Sequence, residues 1–441
     1  MRMLADSPKK DSKIRLESRG SKHLEMLVSM KKITTNLPIF SLMGILLLLV
    51  QSISLFRTYP SSPACGRVMN LFGSLNVLIN CDSAVFMKDA QDPSRVFEGL
   101  SVYQDRPAHS TLAWVIGSIL KWLGFPNQTR EVIGNSGQLT NYESIFYLSY
   151  LLINLSILLA AVLLAVNYVF GTISLEKLSR TKLMLLIAIL TVTANELTKT
   201  FFWTPHSQML NVLLPVLGLT LLNHRTRVVR FRQVLLWSAL ISVLMFFYPL
   251  FGILFGILLF VPYGNHIKRF LIILSFTFVY VLYPSILEIL GGRYHNPNVD
   301  NYRQYVWLLD SARDNQLVEN LRLNLGSFAT TFSIIPTIII LSFAVTCFII
   351  RRNSPSQQGE KLSLGILPYL LFFSLYLTAL SLMGYYSRRL TLGPYIFLEL
   401  LLIKLSIQVL GEKFDKSKRL FLIILLALLV GSWIWTNGPL E

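Results

Sequence analysis

The chain has 441 residues, of which 53% are hydrophobic and only 14% charged, with a formal net charge of +17. A soluble domain carries charge on about a quarter of its residues, so this composition excludes a soluble enzyme on a membrane anchor. The basic excess sits in the gaps between apolar runs and not on one face, which excludes nucleic acid as a partner.

Residues 1–36 form a polar tail with nine Lys and Arg against four acids. It reads as a cytoplasmic basic tail touching anionic lipid. The first apolar run, 37–56, lacks a convincing small-residue cleavage site and is expected to be an uncleaved span. Residues 57–142 follow as a long mixed stretch. Apolar runs then cover 143–170, 183–201, 207–222, 233–249, 250–263, 270–290, 327–350, 362–384, 391–410 and 420–436. Runs of this kind are read as helices crossing a bilayer. The expected fold is therefore an all-α polytopic membrane protein of about eleven transmembrane helices, with surface helices in a long first outer loop. Residues 37–436 make a single transmembrane domain, and 437–441 form a short outer tail.

The run from Thr111 to Phe125 is ambiguous between a twelfth span and a helix lying on the outer leaflet. If it crossed, the basic connectors Glu176–Lys182 and His224–Arg232 would lie outside. As a surface helix it leaves both inside. Inner segments then carry 25 Lys and Arg against eight acids, and outer ones 14 against 14. That is the positive-inside pattern, with the amino terminus in and the carboxyl terminus out. The outer loops are 57–142, 195–206, 291–326 and 385–390. Cys65 and Cys81 share the first of them, where a disulfide is allowed but not demanded. Cys347 lies inside an apolar run and reads as a core thiol.

The first outer loop contains Cys81-Asp82-Ser83-Ala84-Val85-Phe86-Met87-Lys88-Asp89-Ala90-Gln91-Asp92-Pro93. Asp82, Asp89 and Asp92 fall at i, i+7 and i+10, nearly one face of a helix. A carboxylate at the membrane surface suits a general base for an acceptor hydroxyl or amine, or a ligand to a divalent metal. The plainer reading is a solvated helix whose acids offset Lys88, Arg95 and Arg106. Tyr103-Gln104-Asp105-Arg106-Pro107-Ala108-His109-Ser110 leads into the surface helix. The second loop runs from Ala194 to Gln208 and offers Glu196, Lys199 and His206. The fourth contains Tyr385-Tyr386-Ser387-Arg388-Arg389 and then Pro394. Paired arginines at the outer surface break the charge pattern and make a bidentate trap for a lipid phosphate. Their plainer role is as snorkelling anchors.

A cytoplasmic amino terminus, one span, a long outer loop with an early acid and then a surface helix resembles the GT-C class of glycosyltransferases. That class includes oligosaccharyltransferase catalytic subunits, protein O-mannosyltransferases and bacterial enzymes that use polyprenyl-linked sugars. Asp82 with Phe86 four residues on, and Arg106-Pro107 ahead of the surface helix, are similar to its first-loop motifs. Tyr386-Ser387-Arg388-Arg389 before a Pro-bearing span is similar to late spans of bacterial members. The resemblance implies Asp82 as catalytic acid, and Asp89, Arg106, Glu196, His206, Tyr386, Arg388 and Arg389 as substrate-binding residues. Where many relatives carry an acid at the fourth span, this chain has His206-Ser207-Gln208, which departs from a two-carboxylate metal site. The implied partners are a polyprenyl-phosphate-linked sugar, a glycan, lipid or protein acceptor, and membrane lipids. No cofactor is demanded; a divalent metal is allowed but not required.

Loop 291–326 carries four arginines, as well as Tyr294, His295, Asp300, Tyr302, Asp310 and Asp314, which suit sugar recognition. It keeps open an O-antigen polymerase or ligase-like protein. A transporter or flippase of a polar or lipid-linked solute is the other alternative. Glu399 and Lys404 are the charges within a span, and they form no relay of the kind such carriers show. No G-x-x-x-x-G-K-[ST], H-E-x-x-H or G-x-S-x-G motif occurs.

Overall fold

The computed structural model describes residues 44–45, 47–49, 51–52, 67–72, 75–79, 81–101, 103–133, 139–170, 188–224, 231–260, 266–292, 303–331, 356–383, 386 and 388–410. The chain divides into two compact units, Met1–Leu49 and Val50–Glu441. Described residues of the first unit are helical. Everything below concerns the second, which is mostly helical.

Its first loop holds more than helices. Strands β1 (Arg67–Phe72) and β2 (Leu75–Ile79) pair antiparallel, as do β3 (Thr129–Ile133) and β4 (Leu139–Glu143). The expectation of helices alone missed both hairpins. Between them lie α1 (Cys81–Gln91), the short α2 (Ser94–Phe97) and α3 (Pro107–Trp122). Helix α3 occupies the ambiguous apolar run and starts four residues ahead of it. Pro107 takes the first helical position, where its missing N–H costs no hydrogen bond. At the other end Gly124 adopts φ +77°. The Phe125 N–H bonds Leu120 O at 3.1 Å and the Gly124 N–H bonds Lys121 O at 3.0 Å, a Schellman stop.

One face of α3 buries His109, Ser110, Ala113, Gly117 and Leu120, while Trp114, Val115, Ile119 and Trp122 remain exposed. The buried face lies on α4 (Ser144–Phe170). A Cβ on Gly117 would meet the Phe146 ring at 2.6 Å, so glycine lets α3 seat against that ring without displacing it. Among the described residues, Ser144–Val169 of α4 is the helix long and apolar enough to cross a membrane.

Downstream come α5 (Glu196–Phe201), a 3-10 turn Ser207–Met209, α6 (Leu210–His224) and α7 (Phe231–Phe247). A second 3-10 turn, Pro249–Ile253, leads into α8 (Leu254–Phe260), then α9 (His266–Val281) and α10 (Tyr283–Ile289). Helices α11 (Arg303–Arg313), α12 (Leu317–Thr330), α13 (Ser356–Ser381) and α14 (Arg388–Leu410) complete the order. Two expected runs are broken. The run 270–290 divides at Leu282, ahead of Pro284, which has no N–H to continue the ladder. The run 183–201 bends at 194–195, where the Asn195 side chain accepts the Thr198 N–H at 2.9 Å and starts α5 afresh. The run 420–436 and most of 37–56 and 327–350 lie outside the described residues.

Contacts along α6 and α14 set their direction. A Cβ on Gly393 would lie 3.3 Å from Asn211 O and against the Tyr376 hydroxyl. Twelve residues further along α6, Asn223 Oδ1 accepts from Lys404 Nζ at 2.6 Å. The offsets, 182 and 181 residues, are nearly equal, so the two helices run parallel. Helix α4 runs with them. Its Asn154 amide donates to Phe201 O, Phe202 O and Thr204 O at 3.0, 2.9 and 3.2 Å, and the ring of its Tyr168 lies 4.0 Å from Lys404 Nζ. Helix α13 is antiparallel to α14, because Phe372 meets Phe397 at 5.4 Å between ring centroids while Tyr376 meets Gly393. Thus α4, α6 and α14 all begin at one end of the bundle.

Candidate functional site

Asp82 sits in the first turn of α1, where the helix dipole favours a carboxylate, and its side chain is 30% exposed. One turn on, Phe86 is fully buried and organises the surroundings. Its ring stacks on Tyr103 at 4.4 Å and meets the edges of His206 and His109 at 5.2 and 5.4 Å. From α4 the Tyr150 hydroxyl donates to Phe86 O at 2.8 Å, fixing α1 on the bundle.

His206 arrives from the other loop. Its backbone is extended and its Nδ1 accepts the Gln208 N–H at 3.0 Å, capping the 3-10 turn that opens α6. The opposite ring nitrogen, Nε2, lies 3.3 Å from Asp82 Oδ2. His206 is 2% exposed, so among this pair only the carboxylate is open to an incoming molecule.

Arg106 locks the two loops together. Its Nη1 donates to Ser207 Oγ at 2.9 Å, its Nε to Asp105 Oδ2 at 3.1 Å, and the guanidinium lies over Tyr103 and Tyr248. Burial works against its charge, but Asp105 and the hydroxyls of Tyr248 and Tyr103 outweigh that and hold it above its ordinary value. His109, beneath Phe86, is fully buried, and neither ring nitrogen has a hydrogen-bond partner among the described residues. Burial, with His206 and Arg106 beside it, pushes its pKa down to about 3, so the ring is neutral.

Asp89 has a different fate from Asp82, although the two share a helical face. The chain turns back after Pro93, and Ser101 and Arg95 both bond the Asp89 carboxylate, which is fully buried. Burial pushes its pKa up to about 6, against the pull of Ser101 and Arg95. Both Asp89 oxygens, expected at the substrate, are thus bonded within the loop. Asp92 lies past the end of α1 and accepts from the Ser94 N–H and hydroxyl. Tyr386 donates to Ser381 O at 2.8 Å and its ring tilts against Phe328.

The side chains of Glu196, Arg388 and Arg389 lie outside the described residues, as does any pairing of Cys65 with Cys81. The backbones of Glu196, Arg388 and Arg389 are described: Glu196 opens α5, and the two arginines open α14. Because α6 and α14 run parallel, residues 388 and 389 at the start of α14 lie at the same end of the bundle as residues 206 and 207. Among the described residues no group of three or more His, Cys, Asp and Glu side chains is gathered so as to hold a metal ion.

Sequence reasoning singled out Asp82, Phe86, Arg106 and His206. It missed the packing roles of Tyr103, His109, Tyr150 and Tyr248. For Tyr103 and His109 a signal existed, since both flank Arg106-Pro107. For Tyr150 and Tyr248, buried in apolar runs, there was none. No family model, no curated protein and no solved structure matches this chain.

Proposed function

We propose that the chain is an integral membrane glycosyltransferase of GT-C-like architecture, with about eleven spans and its active face on the non-cytoplasmic side of the plasma membrane. The observation that carries this reading is the convergence at one end of the bundle. There, a half-exposed Asp82 carboxylate is joined by His206, and α14 begins at the same end with Arg388-Arg389. A carboxylate to take a proton and two cations to receive a phosphate are what transfer from a polyprenyl-phosphate sugar requires.

In this reading the acceptor hydroxyl or amine attacks the anomeric carbon of the donor. Its proton passes to Asp82. The bond from the anomeric carbon to the phosphate oxygen breaks, and polyprenyl phosphate leaves with the electron pair. Attack opposite the leaving group inverts the configuration. Arg388 and Arg389 carry the charge that develops on the phosphate. The membrane setting is supported by outward apolar faces: Leu236 and Val243 on α7, and Phe270, Leu271 and Phe278 on α9, are all more than half exposed.

The test is turnover in vesicles of phosphatidylethanolamine and phosphatidylglycerol, using radiolabelled undecaprenyl-phosphate hexoses and pentoses as donors. Release of undecaprenyl phosphate by wild type and its loss in Asp82→Asn, at equal membrane incorporation, is the expected result. Full activity of that variant overturns the assignment. Movement of a solute or labelled lipid across the bilayer with no covalent change favours the carrier alternative.

A further inference from the structure

We infer that His206 is a positioning residue: a neutral imidazole whose Nε2–H aims and holds the Asp82 carboxylate, and not a group that binds substrate or metal. The inference rests on the glycosyltransferase reading above, and it deepens the account of that site.

The argument is one of proton accounting. A neutral imidazole has one N–H and one lone pair, and which nitrogen carries the proton is set by what the other nitrogen meets. At Nδ1 the partner is the Gln208 backbone N–H at 3.0 Å, which can only donate. Nδ1 must therefore present its lone pair. The proton then belongs on Nε2, and Nε2 lies 3.3 Å from Asp82 Oδ2, which can only accept when ionised. The same cap works against the doubly protonated ring at neutral pH, because Nδ1–H would face N–H. Metal ligation through Nε2 is incompatible too: it would move the proton to Nδ1 and leave the Gln208 N–H facing a donor.

Burial gives this arrangement its force. His206 is 2% exposed, its ring is flanked by Phe86 at 5.2 Å and Phe201 at 5.1 Å, and it cannot swing away without opening that packing. Asp82, by contrast, is 30% exposed. One of its oxygens is thus anchored by a rigid donor, which fixes the orientation of the carboxylate. The chain achieves with an imidazole N–H what other sites achieve with a metal or a second donor side chain.

Two substitutions separate the ring's two jobs. His206→Asn places Oδ1 where Nδ1 was, so it keeps the cap, but it is too short to reach Asp82. His206→Gln places its amide nitrogen near the former Nε2, so it can donate to Asp82 but caps poorly. With the undecaprenyl-phosphate donors, His206→Asn is expected to keep the wild-type Tm and donor KM and to lose about 10- to 100-fold in kcat, the weight of one hydrogen bond to a charged group. His206→Gln is expected to lose Tm yet recover most of kcat. In an Asp82→Asn background neither change should matter further. If kcat instead follows Tm across both variants, the residue is merely structural and the inference fails. Nitrogen NMR of the histidine-labelled protein in detergent gives an answer that does not depend on turnover. A protonated Nε2 with a bare Nδ1 is expected, and an Nδ1–H or a doubly protonated ring overturns the inference. If wild type turns over no donor at all, the enzyme reading falls, whatever tautomer the spectrum shows.

Discussion

Arg106 Nη1 donates to Ser207 Oγ at 2.9 Å, across 101 positions of sequence. This bond joins the residue that precedes α3 to the turn that opens α6. It sits one residue from His206 and holds the second loop against the first. With Asp105 and Ser207 already bonded to its guanidinium, the residue's first contribution is to assemble the site, and any contact with substrate comes after that.

Replacing Arg388 and Arg389 together by Gln is expected to raise the donor KM and lower kcat/KM by roughly 100-fold, since each charge-assisted contact to phosphate is worth about 1.5–3 kcal/mol. Neutral glutamines keep the helix start, so Tm in detergent should change little. Initial rates against undecaprenyl-phosphate sugar concentration check this. Unaltered donor kinetics would leave these arginines as headgroup anchors.

The parallel approach of α6 and α14 depends on Gly393. An added Cβ meets the Tyr376 hydroxyl and Asn211 O. Gly393→Ala is therefore expected to destabilise by about 1–3 kcal/mol. Removing the hydroxyl should relieve most of that, because Tyr376 Oη is buried without a hydrogen-bond partner among the described residues. Thermal denaturation of Gly393→Ala with and without Tyr376→Phe measures it, and a double variant no better than the single one would refute the contact.

His109 makes stability fall in acid. Its folded pKa is about 3 against an ordinary 6.5. The unfolded chain therefore binds a proton below pH 6.5 that the folded one refuses, and stability is complete above that pH. Between about pH 6 and pH 4 it should drop by about 1.4 kcal/mol per pH unit from this one group. His109→Phe removes the proton site without stranding a partner. Melting curves of the two proteins should converge at neutral pH and separate in acid, with the variant the more stable; parallel curves would show the ring protonated in both states.

The exposed face of α3 should lie in the lipid interface. Trp122 is 83% exposed and Trp114 39% exposed, on the side away from α4. Amphipathic helices with tryptophan on the apolar face seat at the headgroup boundary. Brominated phosphatidylcholine in the vesicles is expected to quench a share of the protein fluorescence that disappears in Trp114→Phe/Trp122→Phe. Equal quenching in both proteins would place this face elsewhere.

What the sequence by itself determined is local. Apolar runs located several helices to within a few residues, 143–170 against Ser144–Phe170 and 391–410 against Arg388–Leu410, while loop 291–326 holds two helices that they did not show. They also put Asp82 and Phe86 one turn apart on a helix. Helix formation is governed by neighbours three and four residues away, so a single chain carries that information openly. Only tertiary structure decided the rest. Asp82 and Asp89 occupy the same helical face and read alike in sequence, yet one is half-exposed and the other is consumed by Ser101 and Arg95. Their difference arises from where the chain turns after Pro93. His206 reaches Asp82 from 124 positions away, and the 182-residue register that starts α14 at the same end of the bundle follows from glycine and asparagine packing. Such pairings depend on which helices touch and at what height, and no local pattern encodes either.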